Sequence, residues 1–115
     1  MNINIERENE ALFVLPGGRI DGNNAHEFHN ALTEAITDQD DTVVMDLSNL
    51  TYISSAGLRA ILLTAKALQK RDAKFMLCSL KATIKGVFEI SGFDKIIAIY
   101  DSRETALTSI GKSAS

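Results

Sequence analysis

Apolar residues along this chain fall into two patterns, short unbroken runs and helical repeats. "NINIERE" and "ALFVLPG" read as two short strands joined by a polar turn at Glu8 to Glu10. That link is too short for a crossover, so the pair is antiparallel. From Asn24 to Thr37, Ala25, Phe28, Leu32, Ala35 and Ile36 recur at helical spacing, and Asp21, Asn23 or Asn24 is placed to cap the helix. "TVVMDLS" carries Val43, Val44, Met45 and Leu47 as a near-continuous apolar run, the mark of a central strand. A second helix follows from Leu58 to about Arg71, then the strand "AKFMLCSL" and a third helix, Lys81 to Ile90, ended by Ser91-Gly92. "KIIAIY" reads as a buried strand and Arg103 to Ile110 as a last helix, with residues 111–115 as a frayed tail.

The order β-β-α-β-α-β-α-β-α predicts an α/β fold with a mixed, mostly parallel sheet of about five strands and about four helices, joined by right-handed crossovers. The helices line one face of the sheet or divide between two. With 115 residues, 45% of them hydrophobic, the chain suits one domain over residues 1–115. The formal charge of -3 is spread along the chain, and no Lys/Arg run points to direct nucleic-acid binding. The one cysteine, Cys78, excludes an internal disulfide. The start, "MNINIERENEALF", has neither a basic segment nor a long apolar one, so no signal peptide is expected. Every apolar run is far short of the roughly 20 residues needed to span a bilayer, so no membrane insertion is expected. These features point to a soluble protein of a reducing cytoplasm.

The stretch "YISSAGLRAIL" places Ser54 and Ser55 between an apolar strand and an apolar helix. A nucleophile elbow centred on Ser55 needs glycines two residues before and two after; Gly57 meets the second position and Ile53 fails the first. The only histidines, His26 and His29, lie upstream, so no base follows the serine in elbow order, and the chain does not read as an enzyme. "LPGGRIDG" matches neither phosphate-binding glycine motif and reads as a strand bulge and turn. His26 and His29 stand three apart without a third ligand nearby and read as a solvated helix surface; no metal and no cofactor is expected. Two readings of the serines remain. One hydroxyl caps the helix by accepting an N–H of the first turn. Alternatively, one is a modification site, because a helix N-terminus tolerates a phosphoryl group.

On a helical wheel, Leu58, Ile61, Leu62, Ala65 and Leu68 form the core face of the helix after the serines. Ala56, Ala60, Leu63 and Ala67 line the opposite side, flanked by Arg59, Lys66 and Lys70, where a solvated helix would be charged. Either a neighbouring helix covers this ridge, or it is a docking surface that starts beside Ser55.

"VVMDLSNLTYISSAGLRAIL" resembles the signature of STAS domains, specifically the bacterial anti-sigma factor antagonists. Typical members run an apolar strand into D-L-S, then a short link, then D-S-[ST]-G-L and an apolar helix. "GRIDGNNAHEFHNAL" and "FEISGFDKIIAIYDSRETAL" are similar to the family's first turn and helix and to its C-terminal part. The resemblance implies a switch. An anti-sigma factor that is also a serine kinase phosphorylates the serine or threonine after the signature Asp. The unmodified antagonist binds that kinase and releases its target, and a PP2C-type phosphatase resets the modified form. Carried over by position, Ser55 is the phosphoacceptor, with Ser54 as second choice. Asp21, Ser54, Ala56, Gly57, Leu58, Arg59, Ala60 and Leu63 form the expected partner-binding set, the last members extended along the ridge. Ser54 stands where the signature has Asp, and Ala56 where it has the second Ser or Thr. The alternatives are a STAS subunit of a lipid-transporting ABC complex and a partner-switch module with a non-transcriptional output.

Overall fold

The computed structural model describes residues 3–8 and 10–114. In chain order the elements are β1 (Ile3–Glu8), β2 (Ala11–Pro16), β3 (Gly18–Ile20), α1 (Ala25–Ala35), β4 (Thr42–Asp46), β5 (Leu50–Ile53), α2 (Ser55–Lys70), β6 (Lys74–Cys78), α3 (Ala82–Ser91), a short 3-10 helix (Phe93–Lys95), β7 (Ala98–Tyr100) and α4 (Arg103–Ala114). The expected strand start at Asn2, the turn residue Asn9 and the tail residue Ser115 lie outside the described residues. Helix α4 takes in residues 111–114, past the end expected at Ile110.

The main sheet has the order β1-β2-β4-β6-β7, with β1 antiparallel to β2 and the other neighbours parallel. β4 is the middle strand, as its apolar run predicts. Strand alternation separates two layers. Leu12, Val14, Val43, Met45 and Leu77 meet α1, α2 and α3 on one face. Ala11, Phe13, Val44, Met76 and Cys78 meet Ala106 of α4 on the other. The helices therefore divide three to one.

Two readings need correction. "KIIAIY" is not a buried strand. The 3-10 helix takes Lys95, Ile96 is 58% exposed, and only Ile97 is fully buried. β7 is a short edge strand, and apolar content alone does not separate an edge from a centre. The turn at Gly17-Gly18 and the link after "DLS" hide β3 and β5, which pair in parallel as a separate two-stranded sheet. That sheet aligns Ile20 with Ile53, so the chain leaves both strands side by side, into Asp21 and into Ser54.

Arg103, at the start of α4, ties the back layer to the sheet. Its Nε donates to Asp46 Oδ2 at 2.8 Å, its Nη1 donates to Glu6 Oε1 at 3.0 Å, and its guanidinium lies 4.6 Å from the centre of the Phe13 ring. Burial pushes the Asp46 carboxyl up, but the Ser48 N–H and Arg103 outweigh it, and its pKa ends below the ordinary carboxylate range. A depressed folded pKa gives stability that is present above the unfolded value of about 4 and lost as the pH falls through the folded one. Asp46→Asn is therefore expected to cost about 2 kcal/mol at pH 7 and progressively less below pH of about 4. Thermal melts of both proteins across that range check it; a pH-independent difference contradicts it.

Candidate functional site

The junction between β5 and α2 separates the roles of the two serines. Ser54 has extended backbone, its N–H donates to Ile20 O at 2.8 Å, and its Oγ accepts from the Gly57 N–H at 3.3 Å. It is the N-cap. Ser55 is the first residue of α2 and is exposed. No acidic residue stands in the first turn of α2, and Arg59 follows Ser55 by one helical turn, also exposed. A negative group at Ser55 thus meets the positive end of the helix and one cation, with no carboxylate in that turn to oppose it.

Gly57 makes this close junction possible. A Cβ there would lie 2.7 Å from both Ile20 Cγ2 and Ile53 Cγ1, so only glycine lets the first turn rest on the small sheet. Asp21 closes the neighbouring turn. Its Oδ1 accepts from the Asn23 N–H at 2.9 Å, and its own N–H donates to Asn24 Oδ1 at 2.8 Å. Asn24 is the N-cap residue of α1 by position, but its side chain bonds Asp21 and Arg19 O instead of the first turn of the helix.

The rest of the expected partner-binding set divides by burial. Ala56, Arg59 and Leu63 are exposed, whereas Gly57, Leu58 and Ala60 are buried. Ala60 is only 4% exposed because α1 packs alongside α2 and covers it. The ridge is thus partly covered. His26 and His29 border a shallow depression with Ala56, Arg59 and Ala60, while Ser55 faces a different one. Among the described residues no carboxylate hydrogen-bonds either imidazole. Sequence reasoning missed Arg19 and Tyr52 beside the site. They are register partners across β3 and β5, with the guanidinium 4.2 Å from the ring centre. Burial raises the pKa of Cys78, which fits a structural thiol in the back layer. No described helix is long and apolar enough to cross a membrane.

The STAS domain matches residues 2–106. A Bordetella bronchiseptica protein assigned as the anti-sigma factor antagonist BtrV is 38% identical over 92% of this chain and 91% of its own. The crystal structure of an anti-sigma factor antagonist from Mycobacterium paratuberculosis superposes with a TM-score of 0.86 at 24% identity, covering 94% of this chain and 92% of its own. The phosphorylated form of the Bacillus cell fate determinant SpoIIAA superposes at 0.70 and 18% identity, covering 95% of this chain and 99% of its own. The chain belongs to the STAS domain family and, within it, to the anti-sigma factor antagonists.

Proposed function

We propose that this protein is a phosphorylation-switched antagonist whose unmodified form binds a cytoplasmic anti-sigma factor with serine-kinase activity, freeing the kinase's target. Ser55 is the phosphoacceptor, and a PP2C-type phosphatase restores the binding form. The observation that carries this reading is the division of labour between the serines. The Ser54 hydroxyl is engaged as the helix cap, while Ser55 is exposed at the helix start with Arg59 one turn away. The same fold occurs in a protein described in a phosphorylated form, which supports phosphorylation as the modification. The fold tolerates the change because a phosphoryl group of about -1.5 to -2 charge sits at a helix N-terminus, not in the core. The chain acts by binding rather than catalysis. Incubation with its kinase and ATP, followed by fragmentation of the product, is expected to map phosphate to Ser55. Phosphate on Ser54 with Ser55 unmodified contradicts the assignment.

A further inference from the structure

Towards their C-terminal ends, α1 and α2 leave a cavity of about 160 Å³ between them. Ser55 lies far from it, since Arg71 at the other end of α2 is about 24 Å away along the helix. The walls are largely apolar. Leu32 and Leu68 are buried, Ile36 is half-buried, and Leu63 is 43% exposed. Three threonine hydroxyls border the cavity, and each already donates within the protein. Thr33 Oγ1 bonds His29 O at 3.0 Å, Thr37 Oγ1 bonds Asp40 Oδ2 at 3.1 Å, and Thr64 Oγ1 bonds Ala60 O at 3.0 Å. Arg71 is placed differently. Its Nη2 donates to Thr37 O at 3.0 Å and to Asp40 O at 2.7 Å, which fixes the guanidinium but supplies no formal negative charge. Among the described residues Nη1 makes no hydrogen bond, and its one ion-pair partner is Asp41 Oδ1 at 3.6 Å, on a side chain 88% exposed. A pair with so exposed a carboxylate is weak.

We propose that this cavity is a binding site for a compact apolar monocarboxylate, with its hydrocarbon part between α1 and α2 and its carboxylate on Nη1 of Arg71. The site stands apart from Ser55 and does not depend on how that serine is read. An apolar cavity of about 150 Å³ holds a benzene ring, so this one suits a body of about that size. The walls select hydrocarbon, because the threonine protons are committed and offer no donor to a polar ligand. Arg71 selects the head group. A carboxylate accepts a charge-assisted bond from Nη1, and the guanidinium loses little freedom because two carbonyls already hold it. Asp38 also borders the cavity and on its own would favour a cation. Its side chain is exposed and its charge screened by water, whereas Arg71 is half-buried, so the anion is the better fit.

The test follows the amide resonances of the labelled protein during titration with benzoate, benzyl alcohol and benzylamine, which share a ring and differ in charge. Benzoate is expected to shift the amides of residues 32–38 and 63–71, with a dissociation constant on the order of 1 mM for so small a probe. Benzyl alcohol is expected to bind at least about fivefold more weakly, and benzylamine more weakly still. Ala67→Phe places a ring in the cavity from an exposed position. It is expected to keep the wild-type melting temperature and lose about tenfold in benzoate affinity. Arg71→Gln is expected to bind benzoate and benzyl alcohol alike; should it fail to fold, the probe series and Ala67→Phe still decide. Absence of shifts in those two segments, or shifts that Ala67→Phe leaves unchanged, overturns the site. Benzylamine binding as tightly as benzoate assigns the charge to Asp38 and overturns the ligand class. A preference for benzoate that survives in Arg71→Gln places the carboxylate on another group, such as His29 on the same wall, and overturns the role of Arg71.

Discussion

Ala60→Glu is expected to lower the melting temperature by roughly 10–20 °C, a loss of about 3–5 kcal/mol for a domain of this size. Ala60 sits under α1, in a buried stripe of small side chains with Gly57 and Thr64. Thr64 Oγ1 already bonds the Ala60 carbonyl at 3.0 Å, so the hydroxyl is no ready partner for a new carboxylate. Glutamate there forces the helices apart or buries a charge, and both are large against a total stability of about 5–15 kcal/mol. Ala56→Glu, on the same sequence ridge but exposed, should leave the melting temperature within about 2 °C. Thermal unfolding followed by circular dichroism separates the two. A fully stable Ala60→Glu protein would mean that α1 does not pack there. Lost binding in this variant reports unfolding, so it cannot locate a partner surface.

The same residue shows where periodicity stops informing. A helical wheel orders the residues of α2 around its axis, and it correctly sets Ile61 and Leu68 inside. It does not record how wide an arc the neighbours cover. Here α1 extends the buried arc to Ala60 and Thr64, while Leu63 stays 43% exposed. Small residues permit close helix packing as readily as they form a smooth docking face, so the sequence admits both readings. β3 and β5 escaped for a related reason. Each is too short to show alternation, and each is stabilised by the other across a long stretch of chain. The long apolar runs of β2, β4 and β6 needed no such partner information to read as strands of a mostly parallel sheet, whereas the order of the strands is visible only in the fold. At the site, the serine pair was legible as a helix start, but its roles were not. Either hydroxyl can cap a helix. Only the path of the chain, with the Ser54 N–H bonded to Ile20 O, decides which one turns inward.

Phosphorylation of Ser55 is expected to weaken kinase binding about 100-fold or more while leaving the domain as stable as before, or slightly more so. The two effects have one cause seen from two sides. Within the domain, the phosphate lies at the N-terminus of α2 with Arg59 a turn away, and a helix start favours negative charge. Against a partner, the same dianion must shed water within the contact, and an uncompensated buried charge costs several kcal/mol. Ser55→Ala keeps the surface neutral and should bind within about threefold of the wild type, since one exposed hydroxyl contributes little. Ser55→Glu carries less charge and fewer oxygens than phosphoserine and should fall between, at about a tenfold loss. Calorimetric titration of the kinase with the four forms, alongside their melting curves, measures both sides at once. Equal affinities for the unmodified, alanine and phosphorylated proteins would remove the switch. A phosphoprotein that fails to bind because its melting temperature has collapsed would remove the mechanism offered here, by moving the effect from the partner surface into the fold.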